Sequence, residues 1–259
     1  MIEAKAGLSA QLEAFSANTI EFLRRERTLI LDGVGVPELR APIFRNQVLV
    51  VAAGADHVED LKRLKRYIAE HRPVLMGVDA GADTLHQLGY RPNVIVGDPD
   101  RLATDTLRSG AEVVVPAHMD GHAPGLERVQ DLGVGAVTFP ASGNPEDLAL
   151  LLADTHGADL VVTVGFQATL HEFLDRGRSG SNPSTFLTRL KLGSKVVDGK
   201  AVASLHRSRV SVGAVVLLVL AALIAVGVGL AVSGVGGAYV NWLVTTWHAF
   251  TNWIGGVFS

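Results

Sequence analysis

No Asp, Glu, Lys or Arg occurs among the last 50 residues, 210–259. Within them, residues 211–232 read SVGAVVLLVLAALIAVGVGLAV, 22 positions without a charge. At about 1.5 Å rise per residue, a helix of that length matches a hydrocarbon core of roughly 30 Å. A buried core helix this long normally keeps a polar face, and a secretion signal lies at the other end of a chain. The run therefore predicts one C-terminal transmembrane helix. His206, Arg207 and Arg209 abut it and Lys191, Lys195 and Lys200 lie upstream, while His248 alone follows. The positive-inside rule then predicts a single-pass protein of the cell membrane with the bulk of the chain in the cytoplasm. The absence of cysteine is compatible with that side.

Residues 239–254, YVNWLVTTWHAFTNWI, hold all three tryptophans of the chain. Asn241, Thr245, His248 and Asn252 recur at spacings of four, three and four, which lines them along one helical face. One expectation is an uncharged amphipathic helix on the outer leaflet, and the other is a hydrophobic tail that pairs with a membrane partner. Gly234, Gly236 and Gly237 interrupt the apolar run before a second full span could form.

The remaining 209 residues carry all the charge. A formal net charge of −3 argues against a general nucleic-acid binder, which would present a basic surface. The chain opens on a helical pattern in which Leu8, Leu12, Phe15, Thr19 and Phe22 step by four, three, four and three. This stripe can pack on the chain's own domain or form a homodimer. From Leu29 onward the pattern turns to short β-branched runs at residues 47–53, 74–79, 94–97, 113–115, 136–139 and 160–165. Amphipathic stretches such as 58–70 and 148–155 lie between them. Such alternation predicts an α/β, Rossmann-like fold with a mainly parallel sheet and helices on both faces. The expected organisation is an N-terminal helix (1–28), an α/β domain (29–205), a basic flank and span (206–233), and a Trp-rich tail (234–259).

Ligands of parallel sheets bind at the C-terminal ends of the strands. Two such ends are acidic. In Val78-Asp79-Ala80-Gly81-Ala82-Asp83 a strand runs into a glycine-bearing turn and a helix over 84–88; in Val96-Gly97-Asp98-Pro99-Asp100 a strand ends in two carboxylates. Paired aspartates on a turn can hold Mg²⁺ together with phosphate oxygens and water. A glycine-bearing turn before a helix lets backbone N–H groups approach phosphate. A D-x-D loop also occurs as a solvated, helix-capping turn, so neither motif is specific alone.

The run GVDAGADTLHQLGYRPNVIVGDPDR, residues 77–101, resembles the signature of thiamine pyrophosphokinases. That signature is an Asp-Gly-Gly-Ala turn followed by Pro-Asp-x-Ile-x-Gly-Asp-x-Asp-Ser. Together with ASGNPEDLALLLADTHGADLVVTVG, HEFLDRGRSGSNPSTFLTRL and the C-terminal apolar segment, it is similar to the SteA family of actinobacterial cell-division proteins. That family joins a thiamine-pyrophosphokinase-like domain to a C-terminal membrane segment. Members carry a further N-terminal domain, so this chain reads as shortened. The resemblance implies ligand contacts at Asp79, Gly81, Asp83 and Gly97, Mg²⁺ on Asp98 and Asp100, and ATP as phosphate donor. Four departures stand against full catalysis. Ala80 replaces a glycine, Arg101 replaces the serine, Pro99 removes a backbone donor, and Pro124-Gly125 replace the Thr-Asp of a third motif whose first carboxylate would be Asp120. A later Gly-Gly-Arg-x-Asp-His segment is matched by residues 165–170 without Arg, Asp or His.

Three further segments bear on the site. His118 and His122 flank Asp120 at metal-ligand spacing, but Gly121, Pro124 and Gly125 favour a polar loop. Residues 142–147, SGNPED, read as a loop and helix start bordering the crevice. Residues 175–182 read as a basic loop that either reaches a phosphate or is simply solvated, two readings the sequence does not separate. The expected function is a membrane-anchored, SteA-like division or envelope protein with partners in that machinery. Its α/β domain would bind a nucleotide, a diphosphate or a protein, and the alternative is an active, Mg²⁺-dependent thiamine pyrophosphokinase.

Overall fold

A computed structural model describes residues 2–166, 183–205, 212–232, 237, 241–242 and 244–248. The chain forms two compact units, Met1–His206 and Arg207–Ser259. The first opens with helices α1 (Ile2–Arg25) and α2 (Arg27–Asp32). Strand β1 (Gln47–Val51) leads to α3 (His57–Arg63) and α4 (Lys65–His71), and β2 (Val74–Val78) to α5 (Ala80–Gln87). Strand β3 (Val94–Val96) is followed by a 3₁₀ turn (Pro99–Arg101) and α6 (Thr104–Leu107), and β4 (Glu112–Ala117) by α7 (Leu126–Asp131). The unit continues through β5 (Ala136–Pro140), α8 (Pro145–Thr155), β6 (Leu160–Val164), α9 (Pro183–Leu192), β7 (Val196–Asp198) and α10 (Gly199–Leu205).

The sheet is β5-β4-β3-β2-β1-β6-β7 with every pairing parallel, as the β-α alternation predicts. Side chains on a strand point alternately to opposite faces, so a strand covered on both sides is apolar throughout. In β1, Val48 and Val50 join a core with Leu148–Ala153 of α8, while Leu49 and Val51 join a second core with Leu61, Leu64 and Tyr67 from the α3–α4 region. A third core under α6 and α7 gathers Ile95, Leu107, Val113, Val115 and Val129. The predicted helix over 58–70 is two segments meeting at the buried Leu64. Strand β7 has no counterpart in the sequence reading, because three half-buried or exposed residues carry no periodic signal.

On α1, Phe15 stacks edge-on against Phe186 of α9, with ring centroids 5.7 Å apart. Part of the predicted stripe therefore meets its own unit.

In the second unit, α11 spans Val212–Val232. The expected membrane span is corrected by this structure: among the described residues no helix is long and apolar enough to cross a membrane. The α/β part of the expected fold stands without its transmembrane helix, and the single-pass placement at a cell membrane with a cytoplasmic bulk goes with it. The tail is helical at 241–242 and 244–248, where Thr245 Oγ1 donates to the carbonyls of Asn241 and Trp242, each at 2.9 Å. Asn252, residues 167–170 and the basic loop 175–182 lie outside the described residues.

Candidate functional site

Where the chain crosses from β5 back to β6, the strand order reverses between β1 and β6, the usual place for a ligand crevice. Here that position is closed by backbone. Gly54 after β1 and Gly165 after β6 face each other so tightly that a Cβ on Gly165 would meet the Ala52 carbonyl, and one on Gly54 would meet the Gly165 carbonyl. Among the described residues an open cleft of about 300 Å³ lies instead over the ends of β2, β3, β4 and β5. Asp79, Asp98, Arg101, His118 and Ser142 are among its lining residues.

Asp79 sits at the junction of β2 and α5 with φ 44° and ψ −130°, a backbone conformation that L-residues rarely adopt. Its position is over-determined. Its N–H donates to the Val96 carbonyl at 3.0 Å, its Oδ1 accepts the Asp98 N–H at 3.0 Å, and the Ala82 N–H donates to its carbonyl at 2.9 Å. Burial raises the Asp79 carboxyl above the ordinary carboxylate range; the Asp98 N–H and the Arg101 charge pull the other way, and the Asp98 charge adds to the rise.

Asp98 begins the next loop. Its Oδ1 accepts the Asp100 N–H at 3.0 Å, and its Oδ2 lies 3.4 Å from Arg101 Nε. Pro99, with its fixed φ, stands at the first position of the 3₁₀ turn that Asp98 caps. Arg128 on α7 clamps this loop from below, donating to the carbonyls of Pro99 and, at 2.9 Å, Leu102, and to Thr104 Oγ1 at 3.2 Å. Three bonds from one charged group anchor a stretch that has no strand pairing of its own. Arg128→Ala is therefore expected to lower stability by about 2 kcal/mol in urea denaturation. A change inside about 0.5 kcal/mol would show the loop to be held by packing alone.

The predicted site residues divide. Asp79, Gly97 and Asp98 come together at adjacent strand ends, and Asp79 and Asp98 face the cleft. Gly97 packs its α-carbon against the Asp79 carboxylate, so its role here is close approach. Gly81 presses on the Val51 carbonyl and fits α5 to β1. Asp83 accepts the Ala103 N–H at 3.1 and 3.3 Å and holds the start of α6. Asp100 is exposed and is not part of the cleft lining. His118 and His122 form a turn, as predicted: the His118 N–H donates to the His122 carbonyl at 2.8 Å, Asp120 Oδ1 accepts the His122 N–H at 2.9 Å, and the rings stack 5.9 Å apart.

Ser142 and Gly143, from the segment predicted to border the crevice, do line it. Behind them lie three acidic residues, of which Glu26 carries no signal in the sequence. The buried Glu26, between α1 and α2, accepts the Ser142 N–H at 3.2 Å across 116 positions. On α8, Asp147 is 1% exposed and accepts the Thr185 hydroxyl at 2.9 Å. Burial pushes its carboxyl up to about 6 against the hydrogen bonds of Ser184 and Thr185. Glu146 is raised as well, first by burial and further by the charge of Asp79, against a hydrogen bond from its own backbone.

These donors do not fit a preformed Mg²⁺ centre. Mg²⁺ requires near-octahedral oxygen ligands at about 2.0–2.1 Å. Both oxygens of Asp98 and one of Asp79 already serve backbone N–H groups or Arg101. Among the described residues no group of three or more His, Cys, Asp or Glu side chains is placed to hold a metal.

No curated protein matches the chain. Residues 200–251 match the family described as SteA-like C-terminal domain, so over that stretch the chain is similar to SteA-like proteins.

Proposed function

We propose that this is a SteA-like cell-division protein whose α/β unit binds a phosphate-bearing ligand, a nucleotide or a diphosphate, in the cleft over β2–β5, without completing diphosphoryl transfer. The division role, with partners in that machinery, rests on the similarity of residues 200–251. The observation that carries the binding reading is the joining of two acidic strand ends, Asp79 to Asp98, at the mouth of a cleft with an arginine beside them. Transfer chemistry draws on charge neutralisation at the phosphates, mostly by metal held on free carboxylates. Here both oxygens of Asp98 and one of Asp79 are engaged within the protein, and Arg101 stands where the thiamine-pyrophosphokinase pattern has serine. Binding tolerates that loss better than catalysis does.

The test is calorimetric titration of the full chain with ATP, inorganic diphosphate and thiamine diphosphate, beside an Asp98→Ala variant. Removing Asp98 takes away the cap of the loop and the tether of Arg101, and the expected result is at least about tenfold weaker binding. Absence of heat for all three compounds, or an unchanged isotherm in the variant, would overturn the cleft as the site. AMP release that depends on thiamine would overturn the binding-only reading in favour of the kinase.

A further inference from the structure

We infer that Arg101 is the cation of this site, so that the cleft takes the phosphate of its ligand without a divalent metal. The inference rests on the cleft being a ligand site and adds the chemistry by which it recognises the ligand. Asp98 accepts the Asp100 N–H through one oxygen and faces Arg101 Nε through the other at 3.4 Å. A guanidinium stays protonated at any working pH and carries five N–H donors in a planar fork. With Nε turned to Asp98, the remaining four donors sit on the two Nη groups. The Arg101 side chain is 75% exposed and lines the cleft, which leaves that edge open to solvent and to a ligand. Two parallel N–H···O bonds from such an edge match a phosphate.

Charge makes the assignment specific. A phosphate approaching Asp79 and Asp98 alone would be repelled, and a family that uses Mg²⁺ here solves that with the ion. In this chain Arg101 offsets Asp98 from within the loop. A metal at the same carboxylate would have to share its oxygens with Arg101 and the Asp100 N–H. Asp98 is then a positioning residue, which aims the guanidinium and does not touch the ligand.

The experiment is titration of the full chain with ATP and with inorganic diphosphate, once in EDTA and once in excess Mg²⁺. The wild type, Arg101→Lys and Arg101→Ser are compared. The expected result is a wild-type Kd equal within about threefold in the two buffers. Arg101→Ser is expected to bind at least about tenfold more weakly in EDTA and to recover in Mg²⁺, and Arg101→Lys, with charge but no fork, to fall between. Because the Arg101 side chain is largely exposed, the variants should unfold at nearly the wild-type temperature, which separates lost binding from lost structure. Wild-type binding seen only with Mg²⁺, or an Arg101→Ser variant that binds like wild type in EDTA, overturns the inference and leaves the cleft as a site. Absence of binding in both buffers overturns the cleft reading and the inference with it.

Discussion

Gly97→Ala is expected to destabilise the protein by about 3 kcal/mol and to abolish ligand binding in the cleft. Two effects add at this position. Gly97 has φ 149°, inside the range that L-residues rarely adopt. A Cβ there would also stand 2.9 Å from Asp79 Cγ and closer still to its Oδ1, with the Asp79 backbone nitrogen at 3.1 Å. The Asp79 carboxylate has no room to yield, since it is held by the Asp98 N–H. Gly121→Ala provides the comparison: its φ is 88°, but nothing lies within 4 Å of its added Cβ. That change should cost about 1 kcal/mol, the backbone effect alone. Urea denaturation of the two variants checks the difference. Equal costs would mean that the strand end relaxes around the methyl group, and that Asp79 is not locked as described.

The second large effect is on pH. The Asp147 carboxyl is pushed up to about 6 by burial, against an ordinary value of 3.8, so the native state holds a proton that the unfolded chain releases between those limits. Stability is therefore highest below about pH 4, falls as pH rises through about 6, and is level above that for this group. The loss is on the order of 2–3 kcal/mol, from roughly 1.4 kcal/mol per unit. Asp79 and Glu146 are raised too, and act in the same direction. Asp147→Asn keeps an acceptor for the Thr185 hydroxyl and removes the charge. Its unfolding free energy, measured between pH 4.5 and 7.5, should decline less steeply than that of the wild type, with the variant the more stable at neutral pH. Parallel curves would place the titration elsewhere.

Asp147 also bears on how the cleft is built. It lies at the first turn of α8, next to Glu146 and behind Ser142 and Gly143, and it joins α8 to the start of α9 through Thr185. Glu26 joins the same rim to the end of α1. The N-terminal helix thus has a path of hydrogen bonds to the cleft, and the acidic loop is steadied on its far side by Arg128.

Much of the α/β unit could be read before any coordinates. Strands β1, β2, β3 and β6 announce themselves as short apolar runs because both of their faces are covered, and a covered face admits few polar residues. Asp79 and Asp98 stand out for the same reason: they are the first charges after such runs, where the chain leaves the interior. Local signals of this kind need only neighbours in sequence. The apolar run at 211–232 was equally plain, yet its reading as a membrane span depended on length and composition alone; among the described residues no helix meets that requirement.

What several of these charged residues do was settled by partners far away in the chain. Asp83 serves Ala103, Arg128 serves Pro99, and Glu26 serves Ser142, over 20, 29 and 116 positions. Asp98 spends its oxygens on Asp100 and Arg101, so a motif with metal-site spacing becomes a turn with its own counter-ion. Sequence by itself determined which apolar runs are buried and where the chain turns, because these are decided by side-chain polarity and backbone freedom within a few positions. Only the tertiary structure decided which carboxylate oxygens remain for a ligand, because a hydrogen bond is short and directional and its partner is chosen by packing.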